Sequence, residues 1–317
     1  MVTGDLVILL CMNFPQIIFI VGPTAVGKSE VAYFLAKRIN GEIVSCDSMQ
    51  VYKELRVVTS KPSASLLKAV PHHLVDCVSV GEEFDVARFN TLALEAIRAI
   101  HARGHVPIVV GGSGLYMQIL LDGIFPAAPK NEDIREELKK QAERHGSEYL
   151  YKKLQKVDPQ AALKIHPNDV RRIIRALEVY QTRREPISGL RKKRRGLWGN
   201  GDIRIFALTM DRDVLYKRID RRVDEMFAHG AVAEVKSLGD FPLSLTAERL
   251  IGLREIRGFL DGSYDETHAR ELMKLNTRRF AKRQLTWFRK EKRLEWITVR
   301  EDDTVKDIAD KLLACIT

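Results

Sequence analysis

A glycine-rich loop, Gly22-Pro23-Thr24-Ala25-Val26-Gly27-Lys28-Ser29, directly follows an apolar run at residues 17–21. It matches G-x-x-x-x-G-K-[ST], in which backbone N–H groups and the lysine cradle phosphates while the hydroxyl binds Mg²⁺. Helical apolar spacing continues to Ile39, so the loop joins a strand to a helix whose N-terminus favours an anion. A di- or triphosphate ligand is therefore predicted. A turn without a ligand is the alternative, and the motif leaves open whether the phosphates belong to a nucleotide.

Strand and helix signals alternate over residues 17–124. Apolar runs predict strands at 42–45, 73–76 and 106–110, and helical spacing predicts helices at 86–103 and 115–121. This order predicts an α/β fold, a P-loop parallel sheet core with helices on both faces. Ligands in such sheets bind at the carboxyl ends of the strands.

The pattern changes near residue 125. From Asn131 to about Tyr180 the chain is charged and helical without a strand signal, and a basic stretch follows at 183–195. An apolar run at 203–208 then returns as a strand, so the helical segment is predicted to be an insertion domain. The predicted organisation is an N-terminal extension at 1–15, for which a mis-annotated start is one interpretation, a core at 16–124 and 202–317, and a helical insertion at 125–201. Further elements are predicted as helices at 211–229, 248–260 and 265–292, a strand at 296–299 and a helix at 305–316.

Charge and cysteine content narrow the function classes. The net charge of +10 over 317 residues indicates a polyanionic partner, with nucleic acid the first candidate and a basic surface without a partner the alternative. The four cysteines show no metal-ligand spacing, which is typical of a reduced cytoplasmic protein. The apolar run at 6–12 is too short to span a bilayer. We expect a cytoplasmic monomer with no membrane association.

A second site candidate begins at Asp47, just past the predicted strand at 42–45. It lies on the same sheet edge as the phosphate loop, where a carboxylate serves as a general base or as a Mg²⁺ partner. The alternative is an N-cap that only starts a helix. Ser48 and Gln50 have side chains that can hydrogen-bond a base edge. In Thr59-Ser60-Lys61-Pro62, the lysine either reaches a pyrophosphate or is a solvated loop residue.

A glycine-rich segment, Gly111-Gly112-Ser113-Gly114, follows the strand at 106–110. Glycines there permit close backbone approach by a ligand, or simply form a tight turn. The strand ends in glycine rather than aspartate, so the carboxylate that holds Mg²⁺ in NTP-hydrolysing proteins is missing. This argues against NTP hydrolysis.

Two basic segments remain. Arg171, Arg172 and Arg175 fall within one helical turn, and residues 274–293 carry nine lysines and arginines interleaved with Phe280, Trp287 and Phe288. Cations with aromatics suit contact with a nucleic-acid backbone and base stacking. For the last two aromatics we expect core positions, whereas the charge density from Arg278 to Arg283 favours nucleic acid.

Together these segments resemble the tRNA dimethylallyltransferases, a family also known as tRNA isopentenyltransferases, which prenylate an adenosine beside the anticodon. The resemblance covers residues 17 to about 299, and its matching segments are GPTAVGKS (22–29), DSMQVYK (47–53), TSKP (59–62), GGSGLY (111–116), HPNDVRRIIRALEVY (166–180) and TRRFAKRQLTWFR (277–289). Val57-Val58 stands where the family usually has a glycine, and residues 191–195 are more basic than the pattern requires. The zinc-finger extension of eukaryotic members is not seen, so the bacterial type is expected.

The resemblance implies transfer of a dimethylallyl group from dimethylallyl diphosphate to the exocyclic amine of adenosine in a tRNA anticodon stem-loop, with Mg²⁺ as cofactor. It implies that residues 22–29 hold the diphosphate rather than a nucleotide, that Asp47, Lys28 and Thr24 are catalytic, and that Ser29 binds the metal. The implied tRNA-binding residues are Asp47, Ser48, Met49, Gln50, Ser113, Arg135, Arg171, Arg172, Ile173, Ile174, Arg175, Arg278 and Arg283.

Two other functions share some of these features. A small-molecule P-loop kinase has the same loop and fold, but the basic segments are then without a role. A non-enzymatic RNA-binding protein accounts for the basic segments, but leaves Lys28, Ser29 and Asp47 without one.

Overall fold

A parallel sheet of six strands forms the framework of the computed structural model, which describes residues 14–125 and 131–316. The strands are β1 (Phe14–Val21), β2 (Gly41–Ser45), β3 (His72–His73), β4 (Val106–Gly111), β5 (Gly201–Thr209) and β6 (Glu295–Thr298). Their spatial order is β3-β2-β4-β1-β5-β6, and every pairing is parallel. β1, which leads into the phosphate loop, therefore lies inside the sheet between β4 and β5.

Helices occupy the connections. They are α1 (Lys28–Ile39), α2 (Ala64–Ala69), α3 (Val86–Ala102), α4 (Gly114–Asp122), α5 (Glu132–His145), α6 (Ser147–Val157), α7 (Pro159–Ala162), α8 (Val170–Arg183), α9 (Ile187–Lys192), α10 (Arg212–Ala228), α11 (Ala231–Ser237), α12 (Leu253–Leu260), α13 (Glu266–Phe288) and α14 (Val305–Ile316). Within the described residues, none of them is long and apolar enough to cross a membrane.

Alternation along β1 explains why both faces of the sheet are covered. Ile17, Phe19 and Val21 belong to one buried cluster, and Ile18 and Ile20 belong to another. Because successive side chains of a strand point to opposite faces, the apolar run at 17–21 must be covered on both sides. α3, α4 and α12 contribute to the first cluster, and α1 and α14 contribute to the second. The predicted α/β fold with helices on both faces is confirmed.

The close meeting of β2 and β4 at their carboxyl ends positions the site. A β-carbon on Gly111 would lie 2.0 Å from the carbonyl oxygen of Cys46, so only glycine fits there. Cys46 N–H donates to the carbonyl of Val110, and Ser113 N–H donates to the carbonyl of Cys46. The chain segments that follow the two strands are thereby joined at one edge of the sheet.

The chain packs as two compact units, one formed by the residues up to Leu121 and from Leu197 onward, the other by Asp122–Gly196. The sequence prediction placed these boundaries at 125 and 201. The second unit is helical, with its own apolar core that includes Leu138, Leu150 and Leu154. The predicted extension at 1–15 lies mostly outside the described residues, and β1 begins at Phe14.

Some predicted elements differ from the structure. The strand predicted at 73–76 consists only of His72–His73, because Leu74 and Asp76 adopt positive φ angles of 62° and 54° that an extended strand does not permit. The helix predicted at 248–260 begins only at Leu253, after a short 3₁₀ turn at Ala247–Arg249. α11 was not predicted.

Candidate active site

One cavity of about 1140 Å³ lies at the carboxyl edge of the sheet, slightly larger than most small-ligand sites. The phosphate loop, the segment after β2 and the glycine segment after β4 line it together with α10 and α13. The elements that the sequence placed at this edge are therefore brought together in space. All of its lining residues belong to the unit that contains the sheet.

The phosphate loop depends on glycine at its first position. Gly22 has a φ of +146°, and a β-carbon there would lie 2.5 Å from the carbonyl oxygen of Leu208 on β5. Gly27 has a φ of +95° and directly precedes α1. The loop thus turns sharply from the sheet into the helix, and Thr24, Ala25, Lys28 and Ser29 line the cavity. The N-terminus of α1 supplies partial positive charge at this point.

Lys28 adds the principal cation of the loop. Its Nζ donates to the carbonyl oxygen of Pro23 at 2.6 Å. Burial lowers the pKa of Lys28 to about 8, an effect that the nearby carboxylate of Asp47 opposes and the guanidinium of Arg222 reinforces. An incoming diphosphate would stabilise the ammonium form, because an opposite charge favours the charged state.

Asp47 does not start a helix. Its Oδ1 accepts from the N–H of Met49 at 2.9 Å, which closes a local turn in the non-helical segment after β2. The helix N-cap alternative is therefore wrong. Among the residues that the structure describes, no hydrogen bond reaches Oδ2. Asp47 lines the cavity and interacts electrostatically with Lys28, so the two lie on the same side of the sheet edge.

Other residues predicted to contact tRNA lie in the same segment as Asp47 or are hydrogen-bonded to that segment. The N–H of Ser48 donates to Ser113 Oγ at 3.3 Å, which joins the segment after β2 to the glycine segment after β4. Gln50 is held by Ser45 Oγ at 3.1 Å and by the carbonyl of Ser60 at 3.4 Å. Met49 is partly buried against the core and also lines the cavity.

The sequence analysis missed Arg222 on α10. Its Nη1 donates to Thr24 Oγ1 at 3.1 Å and its Nε donates to Ser60 Oγ at 2.7 Å. Burial lowers the pKa of this guanidinium, which nevertheless stays cationic, because arginine starts from a very high pKa. The sequence does carry a signal for Arg222. It follows Ile219 by three residues and precedes Met226 by four, which places all three on the same face of the helix. It therefore occupies an apolar face of its helix, an unusual place for a solvated arginine.

The ammonium of Lys61 is engaged by two acceptors of the protein. Its ammonium contacts the carbonyl oxygen of Tyr52 and the carboxylate of Asp76, and its side chain has no exposed surface. The solvated-loop interpretation is wrong for that reason. The ammonium joins two loops, and Lys61 is also among the residues that line the cavity, so its contact with a pyrophosphate stays a prediction.

α13 contributes one basic side chain, Arg283, to the cavity lining. Arg283 lines the cavity, with its guanidinium 5.7 Å from the ring centre of Phe280, whereas Arg278 forms an ion pair with Asp220 at 2.8 Å. Phe288 is fully buried and Trp287 packs against the same cluster, as the sequence analysis expected. A β-carbon on Gly114 would lie 2.4 Å from the Trp287 ring, so α13 packs directly on the glycine segment.

The remaining predicted tRNA contacts lie in the helical unit. Arg171 and Arg172 are exposed on α8, and Arg172 forms an ion pair with Asp169 at 3.4 Å. Ile173 and Ile174 are buried in the unit's apolar core, so as side chains they are packing residues. That these positions contact tRNA stays a prediction, for which the two arginines have accessible side chains whereas the two isoleucines have buried ones.

A buried carboxylate organises two further predicted contacts. Glu178 has no exposed surface and accepts from Arg135 Nε at 2.9 Å and from Arg175 Nη1 at 2.7 Å. Hydrogen bonds from Arg135, Asn131 and Arg175 outweigh burial and lower the pKa of Glu178. Both arginines are thus held by Glu178 within the helical unit, each with part of its side chain exposed.

The sequence profile of the IPP transferase family matches residues 50–291. The chain belongs to the IPP transferase family. Two similar curated proteins are tRNA dimethylallyltransferases from Natranaerobius thermophilus, 45% identical over 95% of this chain and 91% of that protein, and from Halothermothrix orenii, 42% identical over 92% and 89%.

Solved structures of IPP transferases agree in fold. The full-length tRNA isopentenylpyrophosphate transferase from Bacillus halodurans is 40% identical, covers 95% of this chain and 96% of its own, and superposes with a TM-score of 0.69. A eukaryotic dimethylallyltransferase captured acting on tRNA is 30% identical over 95% of this chain and 78% of its own, with a TM-score of 0.79.

Proposed function

We propose that this chain transfers the dimethylallyl group of dimethylallyl diphosphate to the exocyclic amine of an adenosine beside the anticodon of tRNA, releasing pyrophosphate. The observation that carries this proposal is that the phosphate loop, the carboxylate of Asp47 and a set of apolar side chains line the same cavity. Membership of the IPP transferase family supports it, as do the similar proteins named tRNA dimethylallyltransferase.

The apolar wall suits an isoprenoid. Val58, Met226, Leu250, Ile251 and Met273 line the cavity. A β-carbon on Gly252 would lie 2.8 Å from Met273 Cε and 3.5 Å from Val58 Cβ, so this part of the wall is closely packed. Burial of a five-carbon chain against such side chains is favourable by about 0.8 kcal/mol per methylene. A cavity with a cationic and an apolar side matches a prenyl diphosphate better than it matches a nucleotide.

The chemistry follows from the positions of the charged groups. The adenine leaves its stack and its amine nitrogen attacks the first carbon of the allylic group, while the bond from that carbon to the diphosphate oxygen breaks. Negative charge develops on the leaving pyrophosphate, where Lys28, Arg222 and the N-terminus of α1 stabilise it. Asp47 orients the amine and takes the proton that the nitrogen loses.

Mg²⁺ fits the donor set of this site. The hydroxyl of Ser29 and the carboxylate of Asp47 are oxygen donors on the cavity wall, and Mg²⁺ prefers a few such donors together with water and phosphate oxygens. Within the described residues there is no cluster of three His, Cys, Asp or Glu side chains that would bind a metal without a substrate. Bound with the diphosphate, Mg²⁺ would neutralise charge on the leaving group.

The small-molecule kinase alternative is not favoured. β4 ends at Gly111, so no carboxylate stands at the position that holds Mg²⁺ in NTP-hydrolysing proteins. The helical unit also carries 19 lysines and arginines against 11 aspartates and glutamates, a net charge of +8, which a small substrate does not require. Such an excess suits the phosphate backbone of RNA.

A prenyl-transfer assay tests the proposal. Unmodified tRNA, Mg²⁺ and dimethylallyl diphosphate are incubated with the protein, and the nucleosides of the digested tRNA are weighed by mass spectrometry. We expect a prenylated adenosine, formed only when all three are present, and none from Lys28→Ala at matched concentration. Unmodified adenosine from folded wild-type protein with several tRNAs, or consumption of ATP, would contradict the proposal.

A further inference from the structure

The side chain of Gln284, on α13, spans two parts of the active site. Its Oε1 accepts from the backbone N–H of Thr24 in the phosphate loop at 2.9 Å, and its Nε2 donates to the carbonyl oxygen of Gly112 at 2.9 Å. The residue is only 7% exposed. One carboxamide therefore connects the diphosphate cradle to the glycine segment after β4, and both of its polar ends are used.

The backbone on one side has been shaped to admit this side chain. A β-carbon on Gly112 would lie 2.1 Å from Gln284 Nε2, a distance that no real β-carbon reaches. Any other residue at 112 would push the carboxamide away from the carbonyl to which it donates. Gln284 and Gly112 are therefore sterically matched. A side chain that only packed between helices would not require this match.

Gly112 is connected to the Asp47 segment through Ser113. Gly112 is followed by Ser113, whose Oγ accepts from the N–H of Ser48, the residue after Asp47. Gln284 is thus the second member of a continuous series of contacts that begins at Thr24 in the phosphate loop and finishes beside the carboxylate proposed as general base. The N–H of Thr24 is committed to this series and is not among the loop groups free to bind phosphate.

We infer that Gln284 is a positioning residue that sets the spacing between the diphosphate cradle and the acceptor side of the site. The inference rests on the proposed prenyl transfer. It concerns geometry rather than contact with the reacting atoms, because the carboxamide is bonded at both ends to backbone. Reacting groups displaced by about 1 Å lose about a hundredfold in rate, so loss of this connection is expressed mainly in kcat.

The test compares Gln284→Ala with Leu285→Ala, a neighbouring substitution on the same helix that removes packing from the opposite cluster. Steady-state prenyl transfer is measured with each substrate varied, and thermal unfolding is recorded for both variants. We expect Gln284→Ala to lower kcat by about ten- to a hundredfold with a small change in the KM for tRNA. Leu285→Ala should retain wild-type kcat at an equal or larger loss of melting temperature.

Gln284→Glu separates the two hydrogen bonds. The carboxylate still accepts from the N–H of Thr24, but it donates to the carbonyl of Gly112 only when it is protonated. The kcat of this variant relative to wild type should therefore rise as the pH falls. A pH-independent ratio would show that the donation to Gly112 has no positioning role.

Failure of this inference is distinct from failure of the proposed function. If wild type prenylates tRNA and Gln284→Ala has normal kcat, or if Leu285→Ala loses kcat equally, Gln284 only stabilises the fold and the inference is overturned. If folded wild type prenylates no tRNA, the proposed function itself is wrong.

Discussion

At the scale of single residues, the proposed function assigns the chemistry to Lys28 and Asp47, and their surroundings decide how they behave. Lys28 lies in a loop whose glycines allow the sharp turn into α1, and burial lowers its pKa to about 8. Asp47 is held by the N–H of Met49 while its second oxygen faces no partner among the described residues. A poised cation and an available carboxylate thus face one cavity.

The pKa of Lys28 predicts an alkaline limit to substrate capture. Above about pH 8 the free enzyme loses the ammonium charge, so kcat/KM for dimethylallyl diphosphate should fall as the pH rises. Bound diphosphate stabilises the ammonium, so kcat should persist to higher pH. The measurement is the pH profile of both constants for wild type and Lys28→Arg. Since arginine keeps its charge, the fall near pH 8 should vanish in the variant, and an unchanged profile would exclude Lys28 as its origin.

Removal of the Asp47 carboxylate should stop proton transfer without preventing RNA binding. We expect Asp47→Asn to lower kcat by about 10²–10⁴-fold, the usual contribution of a general base, with tRNA affinity within a few-fold of wild type. Single-turnover prenyl transfer and equilibrium tRNA binding measure the two effects. Glu30→Gln is the matched control, because Glu30 is an exposed carboxylate on the rim of the same cavity. Near wild-type turnover in Asp47→Asn would remove Asp47 from its proposed role.

At the scale of elements, one carboxylate joins the outer strands of the sheet. Glu42, on β2, is buried and bonded to His73 of β3 at 2.7 Å, to Arg103 at 2.7 and 3.0 Å, and to His105 before β4 at 2.6 Å. Burial alone would raise its pKa, but hydrogen bonds from Arg103, His73 and His105 outweigh burial and lower the pKa to about 2. In the folded protein the Glu42 carboxylate therefore stays ionised at pH values well below the ordinary pKa of a glutamate.

This shift predicts acid sensitivity of the sheet. A carboxylate with a depressed folded-state pKa stabilises the fold above its unfolded pKa of 4.5, and the contribution is lost as the pH falls toward 2. Glu42→Gln should lower the free energy of unfolding at neutral pH by about 3 kcal/mol, and the difference from wild type should shrink between those two pH values. Urea denaturation across the acid range measures it. Glu95→Gln, an exposed change on α3, should track wild type, and a constant gap for Glu42→Gln would contradict the linkage.

At the scale of the whole molecule, charge is divided unequally. The helical unit accounts for +8 of the net charge of +10, so the unit that contains the sheet is nearly neutral. The segments that lead into and out of the helical unit are hydrogen-bonded to each other. The N–H groups of Leu197 and Trp198 donate to the carbonyls of Leu120 and Leu121 at 2.9 Å each. In the proposed function, the helical unit binds RNA through its charge and the unit that contains the sheet binds the diphosphate.

Replacement of residues 123–195 by a short Gly-Ser linker should separate the two functions. The remaining unit keeps its sheet, its two apolar clusters and its cavity, so we expect cooperative unfolding and retained binding of dimethylallyl diphosphate. Affinity for tRNA should fall by on the order of 10²-fold, because many phosphate contacts are lost. Calorimetric titration with each substrate measures both effects. Full tRNA affinity in the shortened protein would place RNA binding in the core, whereas loss of the diphosphate site would show that the helical unit supports the core.

Local patterns were sufficient for much of the fold. The P-loop motif between a strand and a helix, the helix at 86–103 and the alternation of strands with helices all follow from spacing that short-range physics sets. α11 was missed, because its seven residues carry too little periodicity to stand out. The strand at 73–76 was overestimated, because an apolar run does not reveal the positive φ of Leu74.

The sequence by itself determined the phosphate loop, the parallel sheet with its inserted helical segment, and Asp47 at the shared sheet edge, because each depends on neighbours in the chain. Only the tertiary structure decided the role of residues whose partners are distant in sequence. Arg222 meets Thr24 across 198 residues and Gln284 meets it across 260, while the ammonium of Lys61 is bound by the carbonyl of Tyr52 and the carboxylate of Asp76. Spacing cannot encode such contacts, because they arise where separate elements pack and burial forces each polar group to find a partner.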